Sequence, residues 1–99
     1  MTKSIATANH DGNAYIYDAR TGRQRFALLG NRTDVLALDW SPDSTRLVTG
    51  RSDGTARVWE VTESGGREVA SLSAHGTRTG ITGVAFSPDG TRVMAGDAD

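Results

Sequence analysis

The chain has 99 residues, enough for one domain, and the sequence is 36% hydrophobic and 23% charged. Ten Arg and one Lys are offset by twelve acidic residues, so the net charge is −1 and no basic cluster suits a nucleic acid. The absence of cysteine excludes disulfides and thiolate metal sites, and no apolar run approaches the ~20 residues of a membrane-spanning helix.

Nine short strands are predicted, because apolar residues alternate over short runs and never follow the spacing of a helix. The segment that leads into the first strand lacks the apolar stretch of a secretory signal, so we expect a cytoplasmic protein without a membrane partner. In chain order the predicted strands are 3–8, 14–17, 25–29, 35–40, two strands of a hairpin within 46–60, 68–72, 81–86 and 92–95.

The sequence repeats itself at two spacings. The hairpin Arg46–Glu60, whose turn Asp53–Gly54 favours positive φ angles, overlays Ser4–Asp18 at an offset of 42 residues. Trp40–Asp43 recurs 46 residues later as Phe86–Asp89, and the residues that follow each segment are also similar. Short strands within a period in the low forties indicate a repeat architecture of four-stranded units.

These repeats resemble the WD40 family. The motifs that carry the resemblance are D-W-S-P-D-S at 39–44, A-F-S-P-D-G at 85–90 and V-T-G-R-S-D-G-T-A-R-V-W-E at 48–60. The resemblance implies an all-β fold of antiparallel four-stranded blades that form part of a β-propeller ring. It assigns strands b, c and d of one blade to 1–30, a whole blade a to d to 31–72, and strands a and b of another to 73–99.

The family resemblance also implies a buried hydrogen-bond network in each blade. It links a Trp in strand c, a Ser or Thr in strand b, an Asp in the b–c turn and a His in the preceding loop. No set is complete, since Asn31 stands where the second blade should carry His. The matching positions are Thr7, Asp11 and Tyr17 in the first blade, Asn31, Thr49, Asp53 and Trp59 in the second, and His75 in the third.

Catalytic chemistry is weakly supported by the sequence. The pair His10–Asp11 resembles a general base with its orienting carboxylate, but the repeat aligns His10 with the turn residue Ser52. Two His residues from different repeats, without Cys, do not form a metal-ligand pattern. We therefore expect no catalytic residue, no metal and no cofactor.

The resemblance implies a non-catalytic scaffold that binds a protein or peptide through one rim of loops. Two alternatives remain: a regulatory propeller portion of a larger enzyme whose catalytic domain lies elsewhere, and a self-assembling two-blade structural protomer. Further blades would come from a longer chain or from homo-oligomerisation. The loop arginines could also be merely solvated. The candidate partner-binding residues are Asn9, His10, Arg32, Asp34, Arg51, Ser52 and Arg78.

Overall fold

The all-β prediction is confirmed by a computed structural model, which describes residues 4–8, 13–28, 34–62, 65–73 and 81–97. These residues form nine strands and no helix, so this part of the chain has no helix that could cross a membrane. The strands are β1 (Ser4–Ala8), β2 (Ala14–Asp18), β3 (Gln24–Leu28), β4 (Val35–Trp40), β5 (Arg46–Arg51), β6 (Thr55–Thr62), β7 (Gly65–Ser73), β8 (Ile81–Phe86) and β9 (Val93–Asp97).

The strands form three antiparallel sheets of consecutive strands. The first sheet has the order β1-β2-β3, the second β4-β5-β6-β7 and the third β8-β9. β7 begins three residues before the predicted strand, because Gly65 and Gly66 continue the ladder opposite Thr62 and Val61. Lys3 and Leu29, which were also predicted to lie in strands, fall outside the described residues.

Equivalent turns follow β4 and β8. In the first, Asp43 Oδ1 accepts hydrogen bonds from the hydroxyls of Ser41 (2.6 Å) and Thr45 (2.7 Å) and from the Thr45 amide (3.1 Å). In the second, Asp89 accepts the same three bonds from Ser87 and Thr91 at 2.6, 2.8 and 3.1 Å. The repeated Ser-Pro-Asp-x-Thr sequence therefore folds the same way twice.

The core lies between the sheets. Successive strand residues point to opposite faces, so Leu47 faces the first sheet and Val48 faces the third. Leu47 and Trp59 pack against Ala14, Ile16 and Leu28 of the first sheet. Each fully buried Leu or Ile side chain of this cluster contributes about 1.5–3 kcal/mol.

A second cluster joins the second sheet to the third. Its buried members are Val48, Ala56 and Val58, and the partly buried side chains that pack on them are Val84, Phe86 and Val93. The close approach of β8 requires Gly50, because a Cβ atom at that position would lie 2.6 Å from Ile81 Cγ2. The second sheet thus packs against a neighbouring sheet on each face.

The turn aspartates predict a specific loss of stability in acid. Hydrogen bonds from the serine and threonine hydroxyls and the threonine amide lower the pKa of Asp43 and of Asp89 to about 2. A carboxyl with a depressed pKa stabilises the fold above its unfolded pKa of about 3.9 and loses that contribution as the pH falls through the folded value. Thermal melting should therefore show a drop between about pH 4 and pH 2.

The double variant Asp43→Asn/Asp89→Asn isolates this effect. It should melt at a lower temperature than the unmodified chain at pH 6 and show a smaller change between about pH 4 and pH 2. Glu60→Gln, which removes an exposed carboxylate outside these turns, is the matched control and should keep the original acid profile. An unchanged acid profile in the double variant would contradict the assignment.

Candidate functional site

One end of the second sheet brings together three of the predicted partner-binding residues. The Ser52 amide donates to the Asp34 carbonyl at 2.9 Å, and Val35 is the register partner of Arg51. The β5–β6 turn and the residue before β4 therefore lie side by side. The other four candidates, Asn9, His10, Arg32 and Arg78, lie outside the described residues.

Arg51 differs from the sequence expectation. It was placed in an exposed loop, but it is the last residue of β5 and only 1% of its surface is exposed. β5 continues through Arg51, so this residue stays in register opposite Val35 and is covered. The Arg51 side chain is therefore buried beside the turn, and the prediction that it is exposed on the loop rim was wrong.

The Arg51 guanidinium lies in an unusual environment for a cation. Its Nε and Nη2 atoms are buried and have no hydrogen-bond partner among the described residues. Burial, together with the nearby positive charge of Arg57, lowers the pKa of Arg51, whereas the charges of Asp53 and Glu68 act in the opposite direction. A buried cation of this kind depends on such neighbouring negative charges, because desolvation opposes it.

Asp53 fixes the turn above Arg51. Its Oδ1 accepts hydrogen bonds from the Thr55 amide at 2.9 Å and the Thr55 hydroxyl at 2.5 Å. Gly54 has φ of 86°, the left-handed conformation for which the sequence predicted glycine, and its amide donates to the Arg51 carbonyl at 3.2 Å. Partial burial acts to raise the pKa of Asp53, but the Thr55 bonds and the two arginines outweigh it and lower the pKa.

The predicted bond between Trp59 and Thr49 is present in the structure. The indole Nε1–H donates to Thr49 Oγ1 at 3.2 Å, and both residues are buried. The described bonds of Asp53 are made to Thr55 and not to this pair. Asn31, the fourth residue of the predicted network, lies outside the described residues.

The corresponding pair in the first sheet is not bonded. Thr7 Oγ1 is buried and has no hydrogen-bond partner among the described residues, so no bond joins it to Tyr17, which stands at the position of Trp59. The physical reason is that a phenol has no N–H at the place where the indole of Trp59 carries one. The membership of Thr7 and Tyr17 in a network stays a prediction. Asp11 and His75, the remaining network candidates, lie outside the described residues.

Asp39 makes a hydrogen bond between two sheets that the sequence did not predict. Its Oδ2 accepts a hydrogen bond from the Phe86 amide at 2.8 Å and so ties β4 of the second sheet to the end of β8. A carboxylate within the apolar run Val35–Trp40 was the available signal. Within the described ranges, no group of three or more His, Cys, Asp or Glu residues is placed to hold a metal ion.

The Trp59–Thr49 pair predicts an ordered series of stability losses. Trp59→Ala removes a buried side chain and should lower the free energy of unfolding by about 3–5 kcal/mol. Thr49→Ala should cost about 1–3 kcal/mol, since it leaves the indole N–H unpaired. In a Trp59→Phe background the same Thr49→Ala change should cost less, because the donor is already gone. Urea denaturation measures all three, and equal small losses would refute the bond's role.

Burial of Arg51 predicts that its charge cannot be reversed without harm. Arg51→Glu places an anion near Asp53 and Glu68 in a covered position and should cost about 3 kcal/mol or more. Ser52→Glu, on the neighbouring exposed residue, should change the free energy of unfolding by no more than about 0.5 kcal/mol. Equal melting temperatures for the two variants would contradict the buried position of Arg51.

Comparison with known proteins supports the architecture. The family described as "WD domain, G-beta repeat" matches residues 22–60 and 66–99. WD repeat-containing protein 1 of Bos taurus is 42% identical over 60 residues, which cover 58% of this chain and 10% of that protein. Coronin-7 of Mus musculus is 37% identical over 60 residues, covering 61% of this chain and 6% of its own length.

A third relative matches a larger share of the chain. Actin-interacting protein 1 of Drosophila melanogaster is 36% identical over 77 residues, which cover 76% of this chain and 12% of that protein. The chain thus spans between 6% and 12% of the length of these relatives. Two family matches over more than half of the sequence, together with the antiparallel sheets and their repeated turns, show that the chain belongs to the WD40 repeat family.

Proposed function

We propose that the chain is part of a non-catalytic scaffold that binds a protein or peptide at the rim around the β5–β6 turn. WD40 repeats support a role in protein interaction in general. The observation that carries the finer proposal is the Ser52 amide bond to the Asp34 carbonyl, which joins the turn to the segment before β4. A partner that contacts one of these segments also meets the other.

The chemistry of this rim is polar and mixed in charge. Ser52 and the Asp53 carboxylate are exposed, and the sequence supplies Arg32 and Asp34 immediately before β4. Arg51 supports the rim from beneath, since it is buried and the Gly54 amide donates to its carbonyl. A turn held by these contacts loses little freedom on binding, which favours affinity.

Actin is the first partner to test. One relative is named an actin-interacting protein, and the match covers 76% of the present chain. The proposal therefore includes an actin filament, or a protein bound to it, as the ligand of the rim. Because actin is a cytoplasmic protein, a cytoplasmic location is part of the same proposal.

A photo-crosslinking amino acid at the rim tests the binding face directly. Introduced at Ser52, it should form adducts with the partner when the chain is incubated with actin filaments or with a soluble cell extract. Introduced at Arg67, which is exposed near the opposite end of the sheet, it should form none. Adducts from Arg67 alone would show that the wrong end was assigned.

Charge reversal at the rim measures how much these residues contribute to binding. Arg32→Glu combined with Ser52→Glu should weaken capture of that partner by about tenfold or more, with the melting temperature nearly unchanged. Arg67→Glu is the matched control, because it breaks only an exposed ion pair with Glu60 and leaves the rim intact. Equal capture by both variants would refute the rim as the binding surface.

A further inference from the structure

Three arginines lie in and beside the turn that joins β2 to β3. They are Arg20, Arg23 and Arg25, and Asp18 is the one acidic residue within 18–25. This stretch, called here the arginine turn, therefore carries a net positive charge, although the net charge of the whole chain is −1. The Arg25 Nη2 atom donates to the Thr62 carbonyl at 3.0 Å, which places the turn beside the end of β6 that is farthest from the rim.

The backbone of the arginine turn is held by its own hydrogen bonds. Asp18 Oδ1 accepts bonds from the amides of Arg20 at 2.7 Å and Thr21 at 3.3 Å. The Gly22 amide donates to the Asp18 carbonyl at 2.8 Å, and the Arg23 amide donates to Thr21 Oγ1 at 3.2 Å. A ligand of this turn therefore finds its backbone already ordered, which lowers the entropic cost of binding.

The charges of Arg20 and Arg23 are not used within the protein. In the second sheet, the matching ends of the hairpin carry Glu60 and Arg67, which form an ion pair at 3.3 Å. Asp18 makes no such pair with Arg23, because its carboxylate accepts the two backbone bonds instead. Both arginines are exposed, and their guanidinium groups contact no carboxylate in the part of the chain that the structure describes.

Arg25 is held in place by neutral groups. Its Nη1 atom donates to Ser4 Oγ at 2.7 Å, Nη2 donates to the Thr62 carbonyl, and the guanidinium carbon lies 5.2 Å from the centre of the Phe26 ring. None of these partners carries a negative charge. Arg25 therefore adds to the positive potential of the arginine turn.

Neither the neighbouring sheet nor the repeat accounts for this charge. The described glutamates of β6 and β7 are engaged inside the second sheet, since Glu60 pairs with Arg67 and Glu68 pairs with Arg57, each at 3.3 Å. The matching stretch 60–69 contains three glutamates and one arginine, so the blade architecture does not require a basic turn at this place. The positive charge is thus available to an outside ligand.

From these contacts we propose that the arginine turn is a second binding surface, which takes an acidic segment of another protein through Arg20 and Arg23. A guanidinium offers N–H donors in a planar fork that matches a carboxylate. Lipid surfaces are typically met by clusters of roughly four to eight basic residues, more than this turn supplies. A nucleic acid also requires many phosphate contacts, which a chain with a net charge of −1 does not offer.

A synthetic acidic peptide tests the ligand class on the unmodified chain. A fluorescent peptide of alternating Glu and Ser should bind in about 0.05 M salt, as measured by fluorescence polarisation, because exposed charges then interact over more than about 10 Å. The same peptide with Gln in place of Glu should bind at least about tenfold more weakly. In about 1 M salt the Glu peptide should be released. Equal binding of the two peptides would overturn the proposal.

Charge reversal locates the surface. Arg20→Glu/Arg23→Glu should weaken binding of the Glu peptide by at least about tenfold. Arg46→Glu/Arg92→Glu makes the same change in net charge at exposed residues of the second and third sheets, and it should weaken binding by less than about twofold. Both variants should melt close to the unmodified chain, since all four positions are exposed.

Two outcomes of these measurements would overturn the proposal. Equal weakening by the two double variants would mean that the peptide responds to net charge and not to this turn. Tighter binding to vesicles that contain phosphatidylserine than to the Glu peptide would assign the turn to a lipid surface. The measurements contain no actin, so they leave the crosslinking test of the rim at Ser52 unaffected.

Discussion

Face-to-face packing of the sheets is the constraint on which the rest of the structure depends. Leu47 and Val48 are adjacent in sequence but face different sheets, so the second sheet packs against a neighbour on each side. Close approach is possible because Gly50 and Gly66 have no Cβ atom where Ile81 and the first sheet press against them. A side chain at either glycine would force neighbouring sheets apart and expose the clusters between them.

The two ends of the second sheet are fixed by different chemistry. At one end, the hydroxyls of Ser41 and Thr45 hold Asp43, and they lower its pKa because they favour the ionised carboxylate. At the other end, Asp53 holds Thr55 while the buried Arg51 lies below the turn. The Asp43 turn is repeated after β8 as the Asp89 turn. The charge of Arg51 is not repeated, since Asp97 occupies the matching position in the third sheet.

The strands and turns could be predicted because they depend on local sequence. Alternating apolar residues and the Asp53–Gly54 turn give the hairpin, and the spacing of Thr49 and Trp59 gives their hydrogen bond. The burial of Arg51 could not be predicted, because it depends on β5 continuing into the predicted turn and on the sheet that covers it. The lack of a described partner for Thr7 Oγ1 could not be predicted either. Tyr17 stands where the family has Trp, and a tyrosine has no indole N–H to donate to the hydroxyl.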